Sequence, residues 1–569
     1  MTTEMNRRRF VACFSSLGLG TTLMPGALAA VANDAPTVTI EMIDAAQKIA
    51  GLNFTPAEQQ ALLERLNGER SPLKGFEAIR AAGLGNDTVP ALVFNPVPPG
   101  KAIPKGESSM APSDVNVSMP STDEELAFLP ATHLGRLVAR RDVKPTELTK
   151  LYLARLRKYD PELHCVISVT EDIAMKQAKR ADEEIAAGTY RGPLHGIPWG
   201  AKDLLAVRGT KTTWGATPYK EQRIDTDSTV YTRLTEAGAV LVAKLSMGAL
   251  ASGDRWFGAR TRNPWNTEQG SSGSSAGPGS ATAAGLVGFA IGTETRGSII
   301  SPATRNGVAG LRPTYGRVSR YGAMALSWSM DKIGPMCRSA EDCALVFDAI
   351  RGPDGKDNTL FDVPFVWDGG RDVRELRIGY LRSAFDEIED DPENADRVAR
   401  QRATQRNNRE ALDVIRSLGV DLEPFDLPDV PSDAIGFILT TESAAAFDDL
   451  TLEGDLDSMK ALPEESRWPE SFRSARFVPA VEYIQANRLR MRIMEQVDEA
   501  LDDLDGFIGS NLGLTNLTGH PEISVPGGFF EGTPTSLRFT GKLFGEAEIL
   551  LLAHAYQSKT AHHQKHPAL

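Results

Sequence analysis

The chain has 569 residues, of which 41% are hydrophobic and 24% charged, so it carries enough apolar material for a large globular core. The formal net charge is −13, and no second run of three basic residues follows the arginines at 7–9. An acidic chain of this kind is a poor candidate for binding nucleic-acid phosphates.

Residues 1–32 predict an export signal. The basic RRRF at 7–10 precedes a weakly apolar stretch, which ends in small residues with candidate cleavage points after Ala29 or Ala32. Arg7, Arg8 and Phe10 resemble a twin-arginine signal, while an ordinary secretory signal or an uncleaved anchor is the alternative. We therefore expect recognition by bacterial export machinery, a periplasmic or secreted protein, and no stable membrane span.

Cysteine and histidine usage predicts neither a disulfide framework nor a metal site. Cys13 falls within the signal, which leaves Cys165, Cys337 and Cys343. The eight histidines are scattered, without a metal-ligand spacing. We expect no metal and no organic cofactor.

Residues 33–120 predict a small helical lead and a proline-rich connector. Thr55, Pro56 and Glu58 form a helix start, with a capping residue, a proline at the first helical position and an acid in the first turn. The prolines from 90 to 120 predict an extended connector that wraps on the core.

Residues 124–565 predict one α/β domain with a mixed β-sheet covered by helices on both sides. Periodicity predicts helices in 124–158, 171–188, 229–238 and 483–502, strands in 196–207, 239–246, 376–381 and 523–528, and a helix followed by a strand in 281–295 and 411–427. Residues 385–480 are charged and predicted to be irregular; substrate selectivity is expected there and in loops such as 509–515.

Lys202 is the first residue that could carry chemistry. It interrupts the apolar stretch GIPWGAKDLL, where loss of hydration should lower its pKa and make it a general base near neutral pH. The alternative is a structural lysine that pairs with Asp203 or with a distant acid.

Ser298 ends a turn of small residues, GTETRGS, after an apolar strand. Successive backbone N–H groups in such a turn can converge on a carbonyl oxygen as an oxyanion hole. The alternative is a serine in a tight turn that binds nothing.

The tract GSSGSSAGPGS at 270–280 is the third candidate. A glycine–serine tract is usually a linker, but an apolar, alanine-rich run follows this one. Gly273–Gly277 also matches the G-x-S-x-G elbow of α/β-hydrolases, with Ser275 as nucleophile. That elbow requires a buried strand before it, and the polar NPWNTEQGSS stands there instead, so we interpret the match as accidental.

Four stretches together resemble the amidase signature family, which includes peptide amidases, fatty acid amide hydrolases and the amidase component of tRNA-dependent amidotransferases. They are GPLHGIPWGAKDLL (192–205), GSSAGPGSATAAGLVGFAIGTETRGSI (273–299), GVAGLRPTYGRVSRYGAMALSWSMDKIGPM (307–336) and NLTGHPEISVPGG (516–528). The resemblance runs from about 125 to 560 in the right order.

The resemblance implies the amidase signature fold and a Ser–Ser–Lys triad. Lys202 matches the base, Ser298 the nucleophile, and Ser274, after a cis peptide bond, the serine that relays protons between them. The oxyanion would meet backbone N–H groups from Thr295, Arg296, Gly297 and Ser298. Ser275 is expected to support the loop.

The chain also departs from the family pattern. Glu294 replaces the usual aspartate, Ile300 the usual arginine and Arg296 the usual glycine. The family pairs that aspartate with that arginine, so the resemblance implies altered support of this loop.

The resemblance implies an exported amidase that hydrolyses a small-molecule or peptide amide through an acyl-enzyme. The export signal and the acidic charge argue against a tRNA-dependent role. An esterase that uses the same triad and a non-catalytic binding relative are the alternatives.

Overall fold

The computed structural model describes residues 38–68, 71–73, 75–76, 79, 82–461 and 468–569, so the predicted export signal at 1–32 lies outside the described residues. The chain divides into two compact units, one up to Leu84 and one from Gly85 to Leu569. In the described ranges, no helix has the length and apolarity that a membrane crossing needs.

The first unit contains helices α1 (Ile40–Ile49) and α2 (Pro56–Asn67), which pack on each other. The predicted start of α2 is confirmed. The Glu58 carboxylate accepts from the Thr55 backbone N–H at 2.7 Å, and the Thr55 hydroxyl accepts from the Glu58 N–H at 3.4 Å. This reciprocal capping satisfies two N–H groups that the first helical turn leaves free.

The second unit begins with an extended arm, residues 85–120. Asn86 anchors its start, since the side-chain amide donates to the Ala325 carbonyl at 2.9 Å and accepts from the Ala325 N–H at 2.8 Å. Further along, β1 (Ser109–Ala111) pairs in parallel with β10 (Val366–Asp368). Backbone pairing and the asparagine contacts therefore hold the arm against the rest of the unit.

The centre of the second unit is a mixed sheet that comprises eleven strands among the described residues. In spatial order these strands are β12 (Leu422–Phe425), β11 (Ile378–Leu381), β13 (Gly506–Ile508), β15 (Thr533–Gly541), β14 (Glu522–Phe530), β8 (Ala309–Arg312), β9 (Lys332–Cys337), β7 (Phe289–Glu294), β3 (Pro198–Lys202), β4 (Val240–Leu245) and β2 (Val166–Val169). A separate hairpin joins β5 (Arg262–Asn263) to β6 (Asn266–Gly270).

Helices cover both sides of this sheet, so the predicted α/β class is confirmed. They are α3 (Asp123–Ala127), α4 (Ala131–Ala139), α5 (Pro145–Leu163), α6 (Glu171–Ala186), α7 (Thr229–Glu236), α8 (Ala276–Ala283), α9 (Ile300–Asn306), α10 (Ala340–Ile350), α11 (Ala395–Ser417), α12 (Phe437–Ala446), α13 (Asp448–Glu453), α14 (Trp468–Ala475), α15 (Ala480–Ala500), α16 (Leu512–Thr518) and α17 (Glu546–Lys559).

Two of the element predictions are wrong. The stretch 124–158 holds three helices rather than one, because Pro130 caps α4 and Pro145 occupies the first position of α5. The stretch 385–480 is largely helical rather than irregular, since it includes α11, α12, α13 and α14. In α11 only five of 23 residues are buried, so its apolar periodicity is weak in the sequence.

The middle of the sheet decides where the site lies. Strands β3, β4 and β7 are buried along their whole length, and β3 pairs in parallel with both neighbours. The carboxyl ends of parallel strands meet at one edge of a sheet, where open α/β folds bind ligands. The last residues of β3 and β7 are therefore neighbours at that edge.

Candidate active site

Lys202 is the last residue of β3 and is completely buried. The alternative in which it pairs with Asp203 is wrong. One oxygen of Asp203 pairs with Lys244 at 2.9 Å, and the other accepts from the backbone N–H and hydroxyl of Thr213. Asp203 is thus occupied on the opposite side of the strand's end, and the Lys202 amine is left without an acid in contact.

The Lys202 amine lies instead among hydroxyl groups. Its Nζ is 2.8 Å from Ser274 Oγ, 3.0 Å from Ser275 Oγ and 2.8 Å from Thr293 Oγ1. The Thr293 carbonyl lies 3.3 Å away. Lys202 and Thr293 meet because they stand near the carboxyl ends of the adjacent parallel strands β3 and β7.

Burial lowers the pKa of Lys202 to about 7, and the negative charges of Asp331 and Glu294 only partly oppose this effect. A buried ammonium loses its hydration, and hydroxyl dipoles replace that hydration incompletely. A substantial fraction of Lys202 is therefore neutral near pH 7, as a general base requires.

The loop that carries Ser274 precedes α8. The peptide bond between Gly273 and Ser274 is cis, as the resemblance predicts. A Cβ atom at residue 273 would lie 1.8 Å from the Gly253 carbonyl oxygen, so only glycine fits there. Ser274 is 1% exposed, and its hydroxyl lies against Lys202.

The Ser275 hydroxyl is fully used by its neighbours. It donates to the Thr293 carbonyl at 3.1 Å, accepts from the Thr293 N–H at 3.1 Å and accepts from Lys202. A hydroxyl has one donor and two acceptor positions, so Ser275 has none left. This arrangement suits a structural support and argues against Ser275 as an elbow nucleophile.

Ser298 lies in the turn between β7 and α9 and is half-buried. Its carbonyl accepts from the Ser275 N–H at 3.1 Å, which ties this turn to the Ser274–Ser275 loop. Within the part of the chain that the structure describes, the Ser298 hydroxyl has no protein hydrogen-bond partner. The hydroxyl is therefore free of competing contacts on the side of the two serines and the lysine.

The N–H groups of Thr295, Arg296, Gly297 and Ser298 share an unusual property. Across the described ranges, none of these four donates to a protein acceptor. Gly297 adopts a positive φ of 94°, which favours glycine and turns the chain at this point. Consecutive unused N–H groups in such a turn form a site for a developing negative charge.

Glu294 holds the turn from beneath. One of its carboxylate oxygens accepts from the N–H groups of Ile299 and Ile300 at 2.8 and 2.9 Å. The other accepts from Arg312 and Asn516, both at 2.8 Å. The arginine missing at position 300 is thus replaced by Arg312 from β8, and the charge pair beneath the loop is rebuilt.

This pairing governs the charge of Glu294. Burial alone raises the pKa of its carboxyl, but the Arg312 charge and the hydrogen bonds it accepts outweigh burial and hold the pKa below its usual value. Glu294 therefore stays ionised in a completely buried position.

Two further side chains of the turn are anchored. The Thr295 hydroxyl donates to Asp331 at 2.5 Å, and the second oxygen of Asp331 accepts from two backbone N–H groups at 2.8 and 2.9 Å. Arg296 reaches outward, with its guanidinium 3.6 Å from Asp433. The turn is therefore fixed on both sides while its N–H groups stay unused.

Sequence reasoning missed three residues of this network, namely Thr293, Asp331 and Arg312. Thr293 and Arg312 lie on strands within the stretches that carry the resemblance, but no spacing rule marks them. Only the pairing of β7 with β3, and the packing of β8 nearby, reveal their contacts.

Metal ligands and redox pairs are not part of this arrangement. Among the described residues, no group of three or more His, Cys, Asp or Glu side chains is placed to hold a metal ion. Cys165, Cys337 and Cys343 are buried, unpaired thiols.

Comparisons with known proteins agree on one family. The sequence profile of the amidase family matches residues 147–511. A glutamyl-tRNA(Gln) amidotransferase subunit from Marinomonas sp. (strain MWYL1) is 33% identical over 489 residues, which cover 77% of this chain and 98% of that protein. The corresponding protein from Halorhodospira halophila is 34% identical over 491 residues, with 77% and 97% covered.

Solved structures lead to the same assignment. The native peptide amidase from Stenotrophomonas maltophilia superimposes with a TM-score of 0.65 at 29% identity, covering 76% of this chain and 96% of that one. An amidase family protein from Bacillus anthracis gives a TM-score of 0.68 at 25% identity, covering 79% and 93%. With its sheet, its motifs and these likenesses, the chain belongs to the amidase signature family of amide hydrolases.

Proposed function

We propose that this protein is an exported amidase that cleaves a carboxamide through an acyl-enzyme, with Lys202 as base, Ser274 as relay and Ser298 as nucleophile. The observation that carries the proposal is the hydrogen bond of 2.8 Å between Ser274 and a buried Lys202 that has no acid in contact. A base without a counter-charge next to a hydroxyl is an arrangement for proton transfer.

The hydrogen bonds around the lysine indicate which hydroxyl gives its proton to the amine. A neutral amine has two donors and one lone pair. Ser275 already donates to the Thr293 carbonyl, so it takes one N–H from Lys202. Thr293 Oγ1 takes the other, which leaves the lone pair for the Ser274 proton.

The reaction then follows from these positions. Lys202 accepts the Ser274 proton, and Ser274 accepts the Ser298 proton as Ser298 Oγ bonds to the carbonyl carbon of the amide. The oxyanion is stabilised by the unused N–H groups of the turn 295–298. The relay returns a proton to the leaving nitrogen as the C–N bond breaks. A water molecule, deprotonated through the same relay, hydrolyses the acyl-enzyme and restores Ser298.

A free-standing hydrolase fits this chain better than a component of an amidotransferase does. The relatives named as amidotransferase subunits act on glutamyl-tRNA, whereas this chain is acidic and starts with a predicted export signal. The likeness to a peptide amidase supports a small-molecule or peptide amide as substrate.

Export by the twin-arginine route accords with the thiols. Cys165, Cys337 and Cys343 are buried and unpaired, so the fold does not depend on oxidation after export. A periplasmic or secreted location is therefore part of the proposal.

Labelling with a fluorophosphonate tests the nucleophile directly. The mass of the intact protein should show one adduct, and Ser298→Ala should show none while it retains the fold. Ser298→Ala should also lose amide hydrolysis by about a thousandfold or more. Ser275→Ala serves as the matched control and should still be labelled.

An adduct that persists on Ser298→Ala would contradict the assignment. Matched amide and ester substrates distinguish an amidase from an esterase, because an esterase would leave the amide intact.

A further inference from the structure

A cavity of about 660 Å³ adjoins the turn that carries Ser298. Thr293 and Thr295 form part of its wall, so it begins where the lysine network and the turn 295–298 meet. Its outer wall includes Asn86 and Val89 from the arm 85–120. This volume falls within the range of roughly 300 to 1,000 Å³ that is typical of small-molecule sites.

Three hydrogen-bond donors on the wall of this cavity lack an acceptor that balances them. Within the described ranges, the buried Nε1 atoms of Trp214 and Trp328 have no hydrogen-bond partner. The third donor is Lys332, which is 2% exposed. Its amine donates to the Met330 carbonyl, and no carboxylate of the described chain lies within 4 Å.

The other buried charges on the wall are already satisfied. Arg320 is paired with Asp357 at 3.2 Å and also donates to Thr359. Asp331 accepts from Thr295 and from two backbone N–H groups. The unsatisfied groups are therefore donors, and an unpaired buried donor costs roughly 1–3 kcal/mol. A ligand rich in acceptors would relieve that cost.

The charges around Lys332 keep its amine neutral while the cavity is empty. Burial, followed by the positive charges of Arg312 and Arg490, lowers the pKa of Lys332 well below its usual value. Glu294 and Asp331 oppose this effect but do not overcome it. An anion that entered the cavity would raise the pKa and draw a proton onto the amine.

We propose that this cavity binds a carboxylate on one arm of the amide substrate, with Lys332 as its counter-charge and the indole N–H groups of Trp214 and Trp328 as further donors. The inference rests on the proposed amidase function and names its substrate class, an amide that carries a free carboxylate. Lys332 acts in selectivity and takes no part in the bond-breaking steps.

Binding to the inactive Ser298→Ala protein tests the site without turnover. Calorimetry at pH 8 would compare monoamides of linear dicarboxylic acids with three to eight carbons against the matched neutral diamides. We expect at least one monoamide to bind ten times more tightly than its diamide or better. Measurements in buffers of different ionisation enthalpy should show uptake of about one proton, because Lys332 becomes charged.

Lys332→Met in the same background should abolish both the preference and the proton uptake, and Lys332→Gln should abolish the proton uptake. Lys356→Met is the matched control, since Lys356 borders the same cavity but is exposed and lies over the Tyr321 ring. It should leave both quantities unchanged. An equal loss in Lys356→Met, or equal binding of monoamide and diamide in the parent, would overturn the proposal.

Turnover by the active enzyme separates this inference from the function beneath it. Hydrolysis of neutral amides with no preference for the carboxylates would overturn the carboxylate site and leave the amidase intact. Proton-linked binding of a monoamide by a protein that hydrolyses no amide would overturn the amidase and leave the site intact.

Discussion

Lys202 determines how the rate should depend on pH. Its pKa of about 7 means that the amine is protonated in more acidic solution and neutral in more basic solution. Because only the neutral form accepts a proton, kcat/KM should fall about tenfold for each pH unit below that value and level off above it. A pH–rate profile on one amide substrate measures this, and a rate that stays constant from pH 5 to 9 would contradict the role of Lys202.

The two neighbouring serines should differ sharply on substitution. Ser274→Ala removes the group between Lys202 and the proposed nucleophile, so kcat/KM should fall about a thousandfold or more. Ser275→Ala leaves the Thr293 N–H and carbonyl without their partner and should cost about 1–3 kcal/mol of the free energy of unfolding. It should retain much more activity than Ser274→Ala. Steady-state kinetics together with urea unfolding of both variants measures the difference, and the reverse order of activities would restore the elbow interpretation.

At the scale of elements, the turn between β7 and α9 depends on β8. Arg312→Met would leave the Glu294 carboxylate buried without its cation, and the loss of one partner of a buried pair costs about 3–5 kcal/mol. Glu294→Gln combined with Arg312→Met should lose less than the sum of the single changes, because no buried charge remains. Chemical unfolding measures these free energies.

The exposed pair of Arg374 with Asp372 provides the control for this test. Arg374→Met should change stability little, because solvent screens that pair. A loss in Arg312→Met no larger than in Arg374→Met would contradict the supporting role of Arg312.

At the scale of the whole molecule, the arm 85–120 extends a family domain. The relatives are matched over nearly their full length, yet they account for about three quarters of this chain, with 77% covered by the Marinomonas protein. Asn86 in the arm donates to the carbonyls of both Ala325 and Ala446, and it also borders the cavity. The arm therefore contributes to the wall of the site as well as to the surface.

Export is tested on the complete chain in a bacterial host. Arg7→Lys combined with Arg8→Lys should retain the protein in the cytoplasm, because a twin-arginine signal requires both residues. Fractionation, immunoblotting and the amidase activity of the periplasm measure this. Arg9→Lys is the matched control and should be exported normally. Undiminished periplasmic protein in the double variant would contradict the twin-arginine assignment.

The sequence alone determined the α/β class and the identity of Lys202, Ser274 and Ser298 as candidates, because contiguous motifs carry these residues. The start of α2 was also readable, since a capping box acts over only four residues. Local rules of this kind do not depend on the rest of the fold.

Only the tertiary structure decided which groups surround the candidates. Arg312 beneath Glu294, Thr293 beside Lys202, and Lys332 on the cavity wall follow from the pairing of distant strands, which no local pattern specifies. The helix α11 was missed for a related reason, because a helix stabilised by packing against a sheet needs few apolar residues of its own. Burial sets the charge of Lys202 and Lys332, and burial is a property of the assembled fold rather than of the neighbouring sequence.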